Sequence, residues 1–309
     1  MKVPSLALLT TGLCTVVLSG CTGSSPAPAA LATTSGPPVT SAPPSSAPAS
    51  PVAAAPDVAA SPDVAATPAA DGTRAVYVYY LGDTGPTGPR LYRELHRRPA
   101  TTAVVRDAVV AMLTERAQDA DYTSLWPPRT RVLGVTTLGT TATVDLSGEA
   151  TGRSAGASFE DASLQQLVHV VTAAAPALKR VQLHIAGRAV ETLWGHVDTR
   201  TPIARRPAAE ILAPVWLLMP GNHGQLRRGA RFGGEAGVFE AVVSWELRRG
   251  GSVVRAGTAM SMEGAPGRGP WSAVLPAGVA PGSYVLRAFE SSAKDGSATF
   301  VDDKAITIS

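Results

Sequence analysis

Residues 132–146 read VLGVTTLGTTATVDL, and this stretch decides how the folded part of the chain is built. Ala142, Val144 and Leu146 alternate with Thr141, Thr143 and Asp145, a period of two that puts the apolar set on one face of a strand. Leu138 and Gly139 mark the turn of a hairpin whose first strand starts at Val132. Downstream, Leu164, Leu167, Val168 and Val171 recur at helical spacing behind Ser158, which with Asp161 three residues on offers a cap, and the pattern stops as Pro176 approaches. Upstream, Val104, Val105, Ala108, Val109, Met112 and Leu113 predict a helix capped by Thr101 or Thr102. Before that helix, Val76, Val78 and Tyr80 predict a strand ending at Gly82, followed by a loop rich in Gly and Pro. Val181, Leu183 and Ile185 predict another strand, which turns at Gly187 toward Val190. The expectation is an α+β domain over residues 71–205, with two helices packed on one small sheet.

From about Pro214 the pattern changes to strands alone. Ala241, Val243, Trp245 and Leu247 alternate toward a turn at Arg249-Gly250-Gly251, and Trp271, Ala273 and Leu275 form another strand. Pro281-Gly282-Ser283-Tyr284 leads into Leu286 and Ala288 in a pattern that resembles the tyrosine corner of immunoglobulin-like sandwiches. Ile306 and Ile308 supply a final strand. About 95 residues at this strand spacing suit a seven-strand all-β sandwich. Arg205 and Arg206, followed by Pro207, fall at the change and read as a short connection, so the second domain is expected over 206–309.

The first 70 residues are of another kind. Lys2 precedes an apolar stretch formed by Leu6, Ala7, Leu8, Leu9, Leu13, Val16, Val17 and Leu18, too short to span a bilayer comfortably. The junction Leu18-Ser19-Gly20-Cys21 resembles a bacterial lipobox. The resemblance implies that residues 1–20 are a signal peptide, that the Cys21 sulfur carries a diacylglyceryl group, and that the chain is anchored on the extracytoplasmic face of the cell membrane. An ordinary secretory signal with a chance cysteine is the alternative. With Cys14 inside the signal and Cys21 lipidated, neither of the two cysteines is left for a disulfide. From Thr22 to Ala70 the composition is almost entirely Ala, Pro, Ser, Thr, Val and Gly, charged only at Asp57 and Asp63, and it predicts a disordered tether. Such a tether reaches between about 40 Å and about 150 Å, depending on how far its prolines extend it.

The succession of strand, Gly/Pro loop, helix, hairpin, glycine-rich loop, helix with Gln165 and Gln166, and strand ending in Gly187 resembles the GerMN domain of sporulation and germination lipoproteins over Ala75 to Val197. The segments Gly237-Val238-Phe239-Glu240 and Phe289-Glu290-Ser291-Ser292-Ala293-Lys294-Asp295-Gly296-Ser297 resemble Gmad2, the immunoglobulin-like domain found beside GerMN. The resemblance implies assembly rather than chemistry. The process it implies is sporulation, germination or envelope maintenance, with an envelope protein or a cell-wall polymer as partner.

The candidates for chemistry are weaker. Gly152-Arg153-Ser154-Ala155-Gly156 fits the G-x-S-x-G pattern of serine hydrolases, but five residues separate it from the strand ending at Leu146, where a nucleophile elbow needs the strand to run straight in. Asp198 and Glu210 precede His223 in the order such a triad allows, although His223 is expected on a turn between Asn222 and Gly224. His184 and His196 flank a predicted turn without a carboxylate at zinc spacing. Asp295, Asp302 and Asp303 lack the ligand spacing of a calcium loop. A net charge of +3 is spread over short arginine pairs at 97–98, 205–206, 227–228 and 248–249, which read as solvated surface, and no nucleic-acid motif is present. The sequence therefore reads as a non-enzymatic, lipid-anchored envelope protein without cofactor or metal. The alternative is a carbohydrate- or peptidoglycan-binding surface lipoprotein, and a hydrolase at Ser154 stands third.

Overall fold

The structure is a computed structural model that describes residues 69–83, 88–152, 155–195 and 197–309. The lipobox residues Leu18, Ser19, Gly20 and Cys21, together with the tether up to residue 68, lie outside them, as do Ser154 and His196.

The chain enters through β1 (Thr73–Asp83), which pairs antiparallel along its whole length with β2 (Pro89–Pro99). The helix α1 (Val104–Thr114) follows, and Ala108, Val109, Met112 and Leu113 are buried on it as their spacing requires. Thr101 does not cap it directly. Its hydroxyl accepts the Ala103 N–H and donates to Asp107 Oδ2 at 2.6 Å, closing the first turn from outside the helix. The short β3 (Tyr122–Thr123) pairs with β1, which completes a sheet of order β2-β1-β3.

The opening stretch forms β4 (Val132–Leu138) and β5 (Thr141–Leu146), joined by the two residues Gly139 and Thr140. Gly139 takes φ +57°, the left-handed region that a tight hairpin needs. Ala142, Val144 and Leu146 are fully buried, and the alternate face is half-exposed. The helix α2 (Ala157–Ala174) then crosses over to β6 (Arg180–Ile185), which runs parallel to β5. Its cap is Gly156 at φ +93°, two residues before the Ser158 that the sequence nominates. β7 (Arg188–Ala189) turns back on β6 through Ala186 and Gly187, β8 (Thr192–Leu193) pairs with β9 (Val197–Asp198), and β10 (Ile203–Ala204) adds to the far edge of β6.

Two expectations need correction. An eleven-residue strand, β2, starts at Pro89, so besides the β8-β9 pair the first domain has two larger sheets, one of order β2-β1-β3 and one of order β10-β6-β5-β4. α2 lies against β1, β2 and β6, and every residue from Ala162 to Ala173 is buried. A helix covered on all sides shows no single apolar stripe, which is why its sequence mixes Gln165, Gln166 and His169 with leucine and valine. The glutamines serve as ties: Gln166 Nε2 donates to Tyr79 O, and Gln165 Oε1 accepts the N–H of Arg206.

The connection between domains is short and pinned. Arg206 pairs with Asp161 and Glu210, and α3 (Ala208–Ile211) leads straight into β11 (Val215–Met219). Then come β12 (Gly224–Leu226), β13 (Arg231–Ala236), β14 (Val242–Arg249), β15 (Ser252–Met260), β16 (Gly269–Val274), β17 (Gly282–Ser291) and β18 (Ala298–Ile308). They form a sandwich of a three-stranded sheet, β11-β13-β16, and a five-stranded sheet, β12-β18-β17-β14-β15. The count is eight where the sequence suggests seven, because the three-residue β12 adds in parallel to the edge of β18. Val243, Trp245, Leu247, Leu286, Ala288, Ile306 and Ile308 fill the core, with Phe232 edge-on to Trp245 and Trp271. The tyrosine corner is present: the Tyr284 hydroxyl donates to Ala280 O at 2.7 Å. The described residues group as one compact unit. Among the described residues, no helix is long and apolar enough to cross a membrane.

Candidate functional site

The seam between the two domains is built on alternation along β11. Val215 and Leu217 face the sandwich core, whereas Trp216 faces the other way and completes the core of the first domain at 1% exposure. Its indole Nε1 donates to Leu91 O on β2 at 3.0 Å. Guanidinium groups lie on the ring from both sides of the seam, Arg268 at 3.8 Å and Arg93 at 5.2 Å from its centroid. Both reach Glu235 of β13, Arg93 at 2.5 Å and Arg268 at 3.5 Å. Burial pulls Arg268 down to about 10, against the opposing pull of Glu235, and its Nη1 donates to Ala213 O.

A second polar cluster lies further along. Lys304 of β18 is 4% exposed, and its ammonium donates to Asp119 Oδ2 at 2.5 Å, to the Tyr122 hydroxyl at 2.6 Å and to Asp302 Oδ1 at 2.7 Å. Tyr122 donates to the same Asp302 oxygen, and the other Asp302 oxygen accepts the N–H of Leu217 on β11. Burial alone depresses an ammonium, but Asp302 and Asp119 reverse that here and hold Lys304 above its ordinary value. Burial first, then Asp302, keeps the Tyr122 phenol well above its own. The loop that carries Asp119 is itself fixed, because Glu94 of β2 accepts the N–H groups of Gln118 and Asp119 and a contact from His96. Asn222 closes this side, donating to Gln118 O and accepting the N–H of Ala305.

Between the two clusters lies a cleft of about 340 Å³, walled by Tyr77, Arg93 and Leu95 from the first domain and by Leu217, Met219 and Trp271 from the second. Leu95 and Met219 stand about half-exposed at its rim, at 50% and 47%. The polar groups around it are engaged with one another, so the cleft offers an apolar, shape-defined surface.

The candidates taken from the sequence fall elsewhere. Gly152 ends a 3-10 turn after β5 and Gly156 caps α2, with Ser154 between them outside the described residues. Asp198 is bound by Arg200 and Glu210 by Arg206, both exposed, while His223 sits at φ +60° on the turn before β12 with its N–H on Ala305 O. His184 lies on β6, and its proposed companion His196 is not among the described residues. Asp295 accepts the N–H and hydroxyl of Ser297 in a turn, as its neighbours suggest, whereas Asp302 belongs to the seam. Among the described residues, no group of three or more His, Cys, Asp or Glu is placed to hold a metal. What sequence reasoning missed is the set on β2, namely Arg93, Glu94 and His96, together with Lys304. The one available signal is a run between Pro89 and Pro99 that alternates Leu91, Arg93 and Leu95 with Tyr92, Glu94 and His96, a strand with charge on both faces.

An α+β domain with a crossover helix, closed by a buried seam onto an immunoglobulin-like sandwich, defines a two-domain module in which both cores share one strand. Residues 77–191 match the family Germane, described as sporulation and spore germination, and residues 214–297 match Gmad2, described as the immunoglobulin-like domain of bacterial spore germination. The chain carries these two domains, GerMN and then Gmad2, in that order. No curated protein matches it. Among solved structures, the first GerMN domain of the sporulation protein GerM from Bacillus subtilis is 18% identical with a TM-score of 0.33, covering 42% of this chain and 94% of that one. The tandem GerMN domains of the same protein are 14% identical with a TM-score of 0.35, covering 65% and 61%. A candidate lipoprotein from Clostridium perfringens is 18% identical with a TM-score of 0.32, covering 44% and 89%.

Proposed function

We propose that the chain is a non-enzymatic lipoprotein of the cell envelope, anchored through Cys21 on the extracytoplasmic face of the membrane, whose two domains serve protein assembly or cell-wall contact in a sporulation- or germination-type process. The observation that carries the reading is the seam. Lys304, Asp119, Asp302 and Tyr122 on one side of the cleft, and Arg93, Glu235, Arg268 and Trp216 on the other, join two domains of the sporulation and germination class through buried charge. A joint of that kind lets GerMN and Gmad2 present one continuous surface, which is what a scaffold requires and a pair of loosely strung modules lacks. The Leu18-Ser19-Gly20-Cys21 junction and the composition of residues 22–70 support an anchor with a long reach.

The test is crosslinking in intact membranes, followed by purification of the chain. The expected result is one reproducible protein partner, lost together with membrane retention in Cys21→Ala while the domains stay folded. No reproducible partner alongside tight binding to purified wall glycan overturns the assembly reading. Unchanged cleavage and retention of Cys21→Ala overturns the anchor.

A further inference from the structure

The arginines of the sandwich divide into two groups. Arg248 and Arg287 lie in ion pairs with Glu246, and Arg268 with Glu235. Arg227, Arg228, Arg231, Arg249 and Arg255 are exposed, and among the described residues none of them has a carboxylate partner. These five surround one uncharged loop, residues 276–282, of sequence PAGVAPG. Gly229 donates to Leu275 O and Leu275 donates to Ala230 O, which sets Arg227, Arg228 and Arg231 against the start of the loop. Arg255 Nη2 donates to Gly278 O at its middle. Arg249 lies over the Tyr284 ring, 5.3 Å from its centroid, at the end of the loop, where the Tyr284 hydroxyl is bound to Ala280 O. The segments 227–231, 248–255 and 275–285 contain no Asp or Glu. The positive field at this end of the sandwich is therefore uncompensated by its own segments, and neighbouring guanidiniums that repel one another are kept without the acids that neutralise their counterparts elsewhere.

Beside Arg249 the surface is recessed. A basin of about 560 Å³ is bounded by Arg248, Arg249, Ser283 and Tyr284, with Arg287 and its distant partner Asp303 on the far wall. Gly250 and Gly251 turn at φ +54° and +84°, and nothing stands within 4 Å of where a side chain would project from either.

We propose that this end of the sandwich binds a phosphate-bearing polymer, with Arg249 and the basin beside it as the principal seat and Arg255, Arg227 and Arg228 as further contacts along the chain of phosphates. Guanidinium forks match phosphate oxygens two at a time and stay charged at any cellular pH. The loop they surround offers no apolar wedge for a bilayer: it contains only Ala, Gly, Pro and Val279, and Val279 is buried. Tyr284 is buried as well, which leaves no exposed ring on which a nucleic-acid base could stack. The inference gives the wall-contact part of the proposed function a site and a chemistry, and rests on that reading only for where such a polymer would be met. Its test needs neither the anchor nor a protein partner.

The experiment measures binding of inorganic polyphosphate to the full chain in an uncharged detergent, over a range of salt concentrations. Arg249→Ser/Arg255→Ser is expected to weaken binding by about tenfold or more and to flatten its salt dependence, as loss of two phosphate contacts requires. Arg116→Ser/Arg188→Ser removes the same charge from exposed sites on the first domain and is expected to change binding little. Arg227→Ser/Arg228→Ser provides a second lesion of the patch should the first variant fail to fold. Equal loss in the first-domain control, or no binding by the parent, overturns the proposal. So does binding to phosphatidylglycerol vesicles without binding to polyphosphate, which assigns the patch to a membrane surface.

Discussion

The Glu290 carboxylate accepts the backbone N–H of Phe239 at 2.8 Å, joining residues 51 positions apart in sequence. Each belongs to one of the two segments that carry the Gmad2 resemblance, so those segments meet in space. The bond stands just ahead of Glu240 and Ala241, which take φ +53° and +58°. Residues with a Cβ adopt that region at a cost of about 1–2 kcal/mol each, and the surrounding contacts must hold them there. Ala241 is also tied from outside, since its carbonyl accepts the N–H of Ser261. Glu290→Ala is expected to lower stability by about 1 kcal/mol, because the bond is charge-assisted but exposed. Ala241→Gly is expected to raise it by a similar amount. Paired urea titrations of both variants check this, and no change in Glu290→Ala would mean that other contacts alone hold the turn.

Lys304 is the residue whose loss the seam tolerates least. Replacing it with methionine leaves Asp119 and Asp302 buried with no cation, and the expected loss is about 3–5 kcal/mol. Asp302→Asn keeps an acceptor for the Leu217 N–H and is expected to cost less than Lys304→Met. Urea midpoints of the two variants should fall in that order. The reverse order would show that Lys304 does not govern the cluster.

The same cluster sets an alkaline limit. Lys304 holds its proton more tightly in the folded chain than an ordinary lysine, whose pKa is 10.5, and Tyr122 more tightly than an ordinary tyrosine, whose pKa is 10.0. Both contribute stability that is complete below the unfolded values. It declines as pH rises past about 10, where the unfolded chain releases protons that the folded chain retains. Tyr80 and Tyr92 are also pushed upward, in both cases chiefly by burial. Phenolate absorbance of these three tyrosines should therefore rise together with loss of tertiary structure, not before it. An early, reversible rise for all three would contradict the burial that shifts them.

Much of this fold was legible because single-faced elements write their period into the sequence. The hairpin at 132–146, the turn at Gly250 and Gly251, and the corner at Tyr284 are all of that kind. α2 and β2 are covered on more than one face, so their sequences lose the contrast between wet and dry sides. β2 carries Arg93, Glu94 and His96 into burial only because a second domain or a neighbouring loop lies over it, a fact that no local window contains. The seam was illegible for the same reason. Asp119 and Lys304 are 185 residues apart, and as isolated residues each reads as solvated surface.

Gly233 and Gly234 lie inside β13, the middle strand of the three-stranded sheet. A glycine in such a place marks a close approach of backbones. A Cβ on Gly234 would overlap the Trp216 carbonyl and come within 3.0 Å of the Leu218 nitrogen, both on β11, where no flexible side chain can yield. Gly234→Ala must therefore push β11 away from β13, and β11 carries Trp216 into the first domain. The expected cost is about 2–3 kcal/mol, as for other overpacked sites. The displacement should also disturb the stacked Arg268 and raise the solvent exposure of the Trp216 indole. Tryptophan fluorescence quenching reads that change, provided the other four tryptophans are compared in a Trp216→Phe background. If Gly234→Ala loses stability without any added quenching at Trp216, β11 has not moved, and the strand is not the mechanical link between the two cores.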